Sequence, residues 1–358
     1  MGDSNLSARK QQILFQAVED YIESASPITS GALVEKSEES ISSATLRNEL
    51  NALEQMGYLK QLHTSSGRVP TTKGYRFFVN TIKDNCKADL QGLMNIKNIF
   101  ERRTTNLTDI IKVVAEKISE VTDYPTIVSF GGIDKLDILS IKIIPLMTNQ
   151  ALMLIETPRG LLNNTLELNQ TIDEQSCIDA GRILTTKFRS MTIGQMIESI
   201  ESKHQEILQD LSEYAQFFEY VLQSLVSMTK KYASDGVYSR GATKLLNNPE
   251  YQNVEKAKDV LSLLENKEEL RNLIDSENES DIEFSIGDEL DDERLSDCAI
   301  AKAHCKVNGE NIASVGIIGP KRMDYAKISG ALKFIVDEFK KADLLEAKAD
   351  KIKGENNE

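Results

Sequence analysis

The 358-residue sequence lacks the features of several large protein classes. No apolar run approaches the ~18 residues of a membrane-spanning helix, and the first ten residues lack the apolar core of a signal peptide. The four cysteines are widely scattered and form no Cys-x-x-Cys pair, which is typical of reduced thiols. These absences predict a soluble, cytoplasmic protein with no membrane partner.

Reactive and metal-binding patterns are also scarce. The three histidines, His63, His204 and His304, show no metal-ligand spacing, and the chain has neither a Walker loop nor a Gly-x-Gly-x-x-Gly motif. His304 and Cys305 with Cys298 are a conceivable thiolate site, but the alternation around them favours an ordinary strand. The sequence therefore predicts no enzymatic activity, no metal and no cofactor.

Negative charge dominates the chain but is unevenly distributed. The formal net charge is −14, yet residues 1–90 hold 10 Lys and Arg against 11 Asp and Glu, whereas the remainder holds 32 against 45. Between Glu268 and Glu293, twelve acids accompany one arginine, which predicts a solvated, flexible surface. An acidic body behind a nearly neutral N-terminal region would oppose non-specific binding to DNA.

The stretch from Ser42 to Asn80 organises the rest of the chain. Its first part has apolar residues at three- and four-residue steps, namely Leu46, Leu50, Leu53 and Met56. This spacing predicts a helix with one apolar face, capped by Ser42 or Ser43 and ended by a left-handed Gly57. The opposite face is polar and comprises Ala44, Arg47, Asn48, Asn51 and Gln55.

A hairpin and a second helix follow this helix. Tyr58 to Leu62 reads as a strand, His63 to Gly67 as a polar turn, and Arg68 to Thr71 as a returning strand before a helix capped by Thr72. Aromatic residues on one face of that last helix are predicted to be core. Six Lys and Arg against two acids between residues 44 and 83 suit a surface that faces phosphates. Two earlier helices are predicted to be capped by Ser7 and Ser30. The order predicts a winged helix-turn-helix.

The polar helix face and the hairpin supply the predicted DNA contacts: Ser43, Ala44, Thr45, Arg47, Asn48, Asn51, Ser65, Ser66, Arg68, Thr71 and Lys73. Asparagine pairs with adenine and arginine with guanine in the major groove. Arg68 is expected at phosphate or in the minor groove, whereas the serines, Thr71 and Lys73 would fix position. The alternative is a merely solvated helix face. The basic hairpin directly after the helix favours DNA.

The remaining pattern indicates a mixed domain. Helical spacing runs from about Lys87 to Val121, and helices are predicted again over Asp173–Phe188 and Ile193–Tyr232. Before the second helical region, one antiparallel sheet is predicted from four strands: Thr126–Phe130, Ile138–Leu146, Ala151–Glu156 and Gly160–Leu168. Later strands are predicted at Ile282–Gly287, Ser296–Val307 and Asn311–Gly319, before a last helix near Tyr325. This order predicts an α+β domain with a helical insertion.

Three segments carry a family resemblance. The run ATLRNELNALEQMGYLKQLHTSSGRVPTTKGYR, residues 44–76, closely resembles the N-terminal signature of the HrcA family, heat-inducible repressors of bacterial chaperone genes. PITSGALVEKS at residues 27–37 and GIIGPKRMDYAKI at residues 316–328 are similar to the same family. Thr29, Leu46 and the long charged tail after Phe339 depart from the family pattern. We interpret the glycines and proline of Gly316–Pro320 as a turn.

The resemblance implies an architecture and a function. It implies a winged helix domain at residues 1–86, a GAF-like α/β sandwich domain at 87–169 and 233–345, an inserted helical dimerising domain at 170–232 and a charged tail at 346–358. It further implies a homodimeric repressor that binds an inverted-repeat operator of the CIRCE type before class I heat-shock operons. Heat stress would relieve repression, and the chaperonin GroEL would modulate the activity.

Three other interpretations stay open at the sequence level. The GAF-like domain of a ligand-gated regulator would bind a small molecule, and a metabolite would then raise thermal stability. A direct thermosensor would lose operator binding reversibly on heating. A scaffold would use the winged helix to bind protein, and would show no salt-sensitive binding to duplex DNA.

Overall fold

The computed structural model describes residues 6–36, 42–61, 67–82, 93, 96, 107–130, 132–147, 149–158, 160–167, 173–209, 215–275, 280–307 and 310–355. Within these ranges the chain has an α+β fold. Residues 6–82 form a head of helices and two short strands: α1 Ala8–Ser24, α2 Ser30–Lys36, α3 Ser43–Gln55, β1 Leu59–Gln61, β2 Arg68–Pro70 and α4 Thr72–Ile82.

The predicted ends of two head helices are confirmed. The Ser7 hydroxyl accepts from the backbone of Lys10 at the start of α1, and Ser42 does the same for Thr45 at the start of α3. Gly57 follows α3 with a φ of 79°, a left-handed conformation that glycine adopts without a steric cost.

The predicted caps of the other two helices, Ser30 and Thr72, are wrong by one residue. Thr29 accepts from the backbone N–H of Ala32 at 3.3 Å, and Thr71 accepts from that of Gly74 at 3.2 Å. Both pairs are adjacent hydroxyl residues, so sequence chemistry alone does not choose between them.

The helices of the head pack around apolar residues that are continuous with a core of the body. Buried residues from α1, α3 and α4 meet there: Leu14, Ala17, Val18, Leu46, Leu50, Leu53, Tyr75, Phe78 and Val79. The Phe15 and Phe78 rings lie 4.8 Å apart. The aromatic residues of α4 are therefore core, as predicted. The strands β1 and β2 pair antiparallel, with Leu59 opposite Pro70 and Gln61 opposite Arg68.

The rest of the described chain forms the body. Its helices and strands, in chain order, are α5 Leu107–Thr122, β3 Thr126–Phe130, β4 Ser140–Met147, β5 Gln150–Thr157, β6 Gly160–Glu167, α6 Glu174–Phe188, α7 Ile193–Gln209, α8 Ala215–Asp235, β7 Val237–Arg240, α9 Val254–Glu265, α10 Lys267–Ile274, β8 Ile282–Ile286, β9 Cys298–Val307, β10 Glu310–Pro320 and α11 Tyr325–Glu355. The predicted helix over residues 87–106 lies almost wholly outside the described residues. The last helix begins at Tyr325, as predicted. No helix in the described ranges is long and apolar enough to cross a membrane.

The body is built on a five-stranded antiparallel sheet. Its strand order is β7-β3-β10-β9-β8. Alternate residues enter different cores, so Val128 and Ile317 pack with α5 and α11, whereas Ile127 and Ile318 pack with α9 and α10. Helices therefore cover both faces of the sheet, which explains why its central strands are buried over most of their length.

The predicted single sheet over residues 126–168 is wrong. Strands β4, β5 and β6 form a separate three-stranded sheet, whereas β3 pairs with β10 and β7. The chain leaves the five-stranded sheet after Phe130 and returns at Val237, and α6 packs on β4 in between. Alternation identifies a strand but not its partner, and the partners of β3 lie far along the chain.

The interpretation of Gly316–Pro320 as a turn is also wrong, because these residues lie inside β10. A Cβ at Gly316 would overlap the Ile274 side chain of α10. Glycine is thus required here for the close approach of a helix to the sheet. The turn comes directly after the motif, at residues 321–324.

Candidate nucleic-acid interface

The exposed side of α3 is the part of the head whose side chains are most open. We call Ser43, Ala44, Arg47, Asn48 and Asn51 the reading face, and all five are exposed, whereas the leucines of α3 are buried. Within the described residues, neither Arg47 nor Asn48 makes a side-chain hydrogen bond to the protein. Their donors and acceptors are therefore available to a ligand.

The start of α3 is fixed by hydroxyl groups. Thr45 Oγ1 lies 2.9 Å from Ser42 Oγ, and Ser43 Oγ lies 3.2 Å from Ser30 Oγ at the start of α2. These contacts set the angle between the two helices, and with it the direction of the reading face. Ser43 and Thr45 thus have structural partners, whereas Ala44 has only its exposed methyl group.

Arg68 does not extend into solvent as its predicted role requires. The residue is 8% exposed, and its Nε donates to Glu54 Oε2 at 2.8 Å while a terminal nitrogen donates to Asn51 Oδ1. Its backbone pairs with Ile28 in both directions, at 2.7 and 2.9 Å. Arg68 therefore joins the hairpin to α3 and to the segment before α2.

This arrangement leaves the two asparagines of α3 with different hydrogen bonding. A bidentate contact to adenine uses both the carbonyl oxygen and the amide nitrogen. The carbonyl oxygen of Asn51 already accepts from Arg68, whereas Asn48 makes no such contact. The structure thus leaves Asn48, with Arg47, as the more open pair for reading bases.

Thr71 and Lys73 hold the hairpin to the end of α3. The Thr71 hydroxyl donates to Gly57 O at 2.7 Å and lies 3.1 Å from Tyr58 O. Lys73 Nζ lies 3.3 Å from Met56 O and 4.2 Å from the centre of the Tyr58 ring, a cation–π contact. Lys73 remains exposed, so only its position is constrained. Ser65 and Ser66, at the predicted hairpin turn, lie outside the described residues.

The opposite side of the head rests on the body. The Arg76 guanidinium pairs with both carboxylate oxygens of Glu289 and donates to Phe284 O at 2.7 Å. The Thr72 hydroxyl lies 3.3 Å from Asp288 Oδ2. These acids lie in a 3-10 turn, Gly287–Glu289, within the segment predicted to be a solvated, flexible surface. Both acids are exposed, as predicted, but the described parts of the segment form α10, β8 and this turn, and the turn contacts the head.

Tyr325 is the centre of this head–body contact. It is fully buried, and its ring centre lies 6.2 Å from that of Tyr75, 6.5 Å from Phe78 and 5.7 Å from Phe284. Its hydroxyl donates to Lys321 O at 2.5 Å, and burial raises its pKa, so the ring stays neutral. The sequence analysis missed this contact, although Tyr325 lies within the GIIGPKRMDYAKI segment.

Comparison with known proteins places this geometry in a family. Residues 108–328 match the family model described as the HrcA protein C terminal domain. The chain is 34% identical over 339 residues to the heat-inducible transcription repressor HrcA of Brevibacillus brevis, covering 93% of this chain and 96% of that protein. The chain belongs to the HrcA family. The resemblance identified from the sequence is thereby confirmed.

Two further comparisons concern a second relative and a solved structure. The heat-inducible transcription repressor HrcA of Acetivibrio thermocellus is 31% identical over 345 residues, covering 94% of this chain and 95% of that protein. A solved structure described as a hypothetical protein at 2.2 Å resolution matches with a TM-score of 0.70 at 22% identity, covering 95% of this chain and 99% of that one. That structure shares the fold. The family's relatives are named as transcription repressors, and the present chain is a heat-inducible repressor of this kind.

Proposed function

We propose that the head is a winged helix-turn-helix and that α3 is its recognition helix in a duplex DNA major groove. The observation that carries the proposal is that Arg47 and Asn48 are exposed, and have no side-chain hydrogen bond among the described residues, on a helix whose other face is buried. Two exposed groups on a rigid helix can each form a bidentate contact to a base edge. The basic hairpin directly after α3 favours this role over a merely solvated helix face.

The remaining predicted site residues are proposed to contact the DNA backbone, to contact bases or to position other residues. Ser43, Ala44 and Thr45 approach the DNA backbone at the positively polarised start of α3. Asn51 contributes its amide donor, and Lys73, Ser65 and Ser66 contact phosphate. Arg68 and Thr71 act by positioning, because their polar groups are occupied within the head.

Operator recognition would involve two copies of the chain. One recognition helix covers only a few base pairs, and a two-fold dimer matches an inverted repeat. The segment between Phe130 and Val237 offers a surface for the second copy: Ile144 and Leu146 on β4 and Ile178 on α6 are 42%, 52% and 51% exposed. Strand β4 is also an edge of its sheet. We therefore extend the inserted dimerising domain from residues 170–232 to about the whole of 132–235.

The body around this insertion is the proposed GAF-like domain. The function that fits family membership is repression of class I heat-shock operons in the cytoplasm through an inverted-repeat operator of the CIRCE type. The chaperonin GroEL is the proposed modulator, and heat would relieve repression by occupying the chaperonin with unfolded clients.

Fluorescence anisotropy tests the DNA interface. The full-length protein is titrated onto a duplex with the inverted repeat and onto a scrambled duplex, over a salt series. Arg47→Ala and Asn48→Ala are expected to abolish the preference for the repeat. Arg240→Ala is the control, since Arg240 is an exposed arginine at the end of β7, outside both the head and the proposed dimerising domain. A strong preference that survives both head substitutions would contradict the assignment of α3.

Equal weak binding to both duplexes would have two explanations, which a second titration separates. If GroEL added to the mixture restores the preference, the repressor proposal stands and the chaperonin is required for competence. If it does not, DNA recognition by this chain is excluded under these conditions, and the scaffold interpretation is favoured.

A further inference from the structure

A cleft runs between the head and the body, and both contribute to its walls. Its volume is about 610 Å³, which lies within the range of small-molecule sites and is far too small for a duplex. The head contributes Tyr21, Lys60 and Tyr75, and the body contributes Lys256, Asp297 and Lys321.

The basic and acidic groups of the cleft are unequally satisfied. Four basic and three acidic side chains line it, and each carboxylate has a partner. The three pairs are Arg322 with Glu250, Lys256 with Asp297, and the Thr72 hydroxyl with Asp288. Two basic groups are left over: among the described residues, neither Lys60 nor Lys321 forms an ion pair.

Positive charge accumulates around one carboxylate. Asp297 accepts a hydrogen bond from Lys256, and the charges of Lys256, Lys321 and Lys60 also act on it, so its pKa is lowered. Three ammonium groups therefore act on this carboxylate, and Lys256 is the one that contacts it. One of them belongs to the head and two belong to the body, so mutual repulsion acts across the cleft unless a further anion lies between them.

We propose that this cleft binds a small phosphate-bearing molecule, with the phosphate between Lys60 and Lys321. Four basic against three acidic side chains give the cleft a net positive charge, which favours an anionic group, and the exposed Ser296 hydroxyl offers a further donor. The Tyr21 and Tyr75 rings with Val69 and Pro70 supply an apolar wall for the organic part. Because the phosphate joins a lysine of the head to one of the body, the ligand stabilises the docked head.

Isothermal titration calorimetry with inorganic pyrophosphate tests the site on the full-length protein at constant ionic strength. We expect saturable binding at one site per chain. Lys60→Gln and Lys321→Gln should each weaken it about tenfold, because each removes one charge-assisted hydrogen bond. Lys258→Gln is the matched control, since Lys258 is exposed on the same helix as Lys256 but does not line the cleft. That variant should bind as the unchanged protein does.

Charge-conserving variants test whether the weaker pyrophosphate binding comes from the lost charge or from a loss of folding. Lys60→Arg and Lys321→Arg should retain saturable binding. The proposal is overturned by the absence of saturable binding in the unchanged protein, or by Lys60→Gln and Lys321→Gln binding as tightly as Lys258→Gln. It is also overturned if Arg47→Ala, on the reading face, removes the binding instead. None of these outcomes depends on whether the chain recognises an operator.

Discussion

The two sides of the head contrast in how far their polar groups are satisfied. On the reading face, Arg47 and Asn48 are exposed and make no side-chain hydrogen bonds within the described structure. On the side toward the body, Arg76 is paired and Tyr325 is fully buried. A group that contributes to stability is satisfied within the fold, whereas a group that reads a ligand must stay open in the free protein.

The contrast also separates two arginines that are alike in sequence. Arg47 and Arg68 lie in the same basic region, and both were predicted to contact DNA. Only Arg47 is open, because Arg68 lies between Glu54 and Asn51. A substitution at either position is expected to weaken operator binding, but for different reasons. Four experiments test this difference, in order of decreasing expected effect.

Removal of the central ring of the head–body contact should have the largest effect. Tyr325→Ala leaves a cavity among three aromatic rings and is expected to cost about 3–5 kcal/mol of unfolding free energy. Urea denaturation followed by circular dichroism measures it. Tyr220→Ala is the control, since Tyr220 is 38% exposed. Equal losses of unfolding free energy in the two variants would show that Tyr325 is not central to the head–body contact.

Substitutions on the reading face should lower the affinity for operator DNA and leave the stability unchanged. Arg47→Ala and Asn48→Ala are each expected to lose about 1–3 kcal/mol of discrimination between operator and scrambled duplex. Anisotropy titrations measure the discrimination, and thermal unfolding should show no matching loss, because both side chains are exposed. A drop in melting temperature as large as that of Tyr325→Ala would show that these residues are structural.

Substitution of Arg68 should lower both the stability of the protein and its discrimination of the operator. Arg68→Ala leaves Glu54 and the Asn51 carbonyl without their donor and is expected to destabilise the protein by about 1–3 kcal/mol. Operator discrimination should fall with it, through the position of α3. Arg68→Lys should not restore stability, because one ammonium cannot replace the two-pronged guanidinium. Full stability with reduced DNA affinity would instead indicate that Arg68 contacts a DNA phosphate directly.

The ion pair between head and body should have the smallest effect. Arg76 and Glu289 are 31% and 33% exposed, so solvent screens their attraction, and we expect a coupling of about 0.2–1 kcal/mol. A double-mutant cycle with Arg76→Ala and Glu289→Ala measures it by urea denaturation. A coupling several times larger would mean that charge, and not the Tyr325 cluster, fixes the head on the body.

Local patterns predicted local structure well. The spacing of Leu46, Leu50 and Leu53 gave the buried face of α3, and Gly57 marked its end. The predictions failed where two chemically equivalent neighbours compete, as with Thr71 and Thr72, and where a strand has several possible partners, as with β3. In both cases the deciding contact is made by residues that are distant in sequence.

The sequence by itself determined the helices, most strands, the family and the polar face of α3, because these depend on residues within a turn or two of one another. Long-range packing decides that Arg68 is paired while Arg47 has no side-chain hydrogen bond among the described residues, that a turn of the acidic segment contacts the head, and that Lys60 and Lys321 line one cleft. These outcomes depend on the packing of separate elements. Packing assigns each polar group either to an internal partner or to solvent, and a linear pattern does not specify that choice.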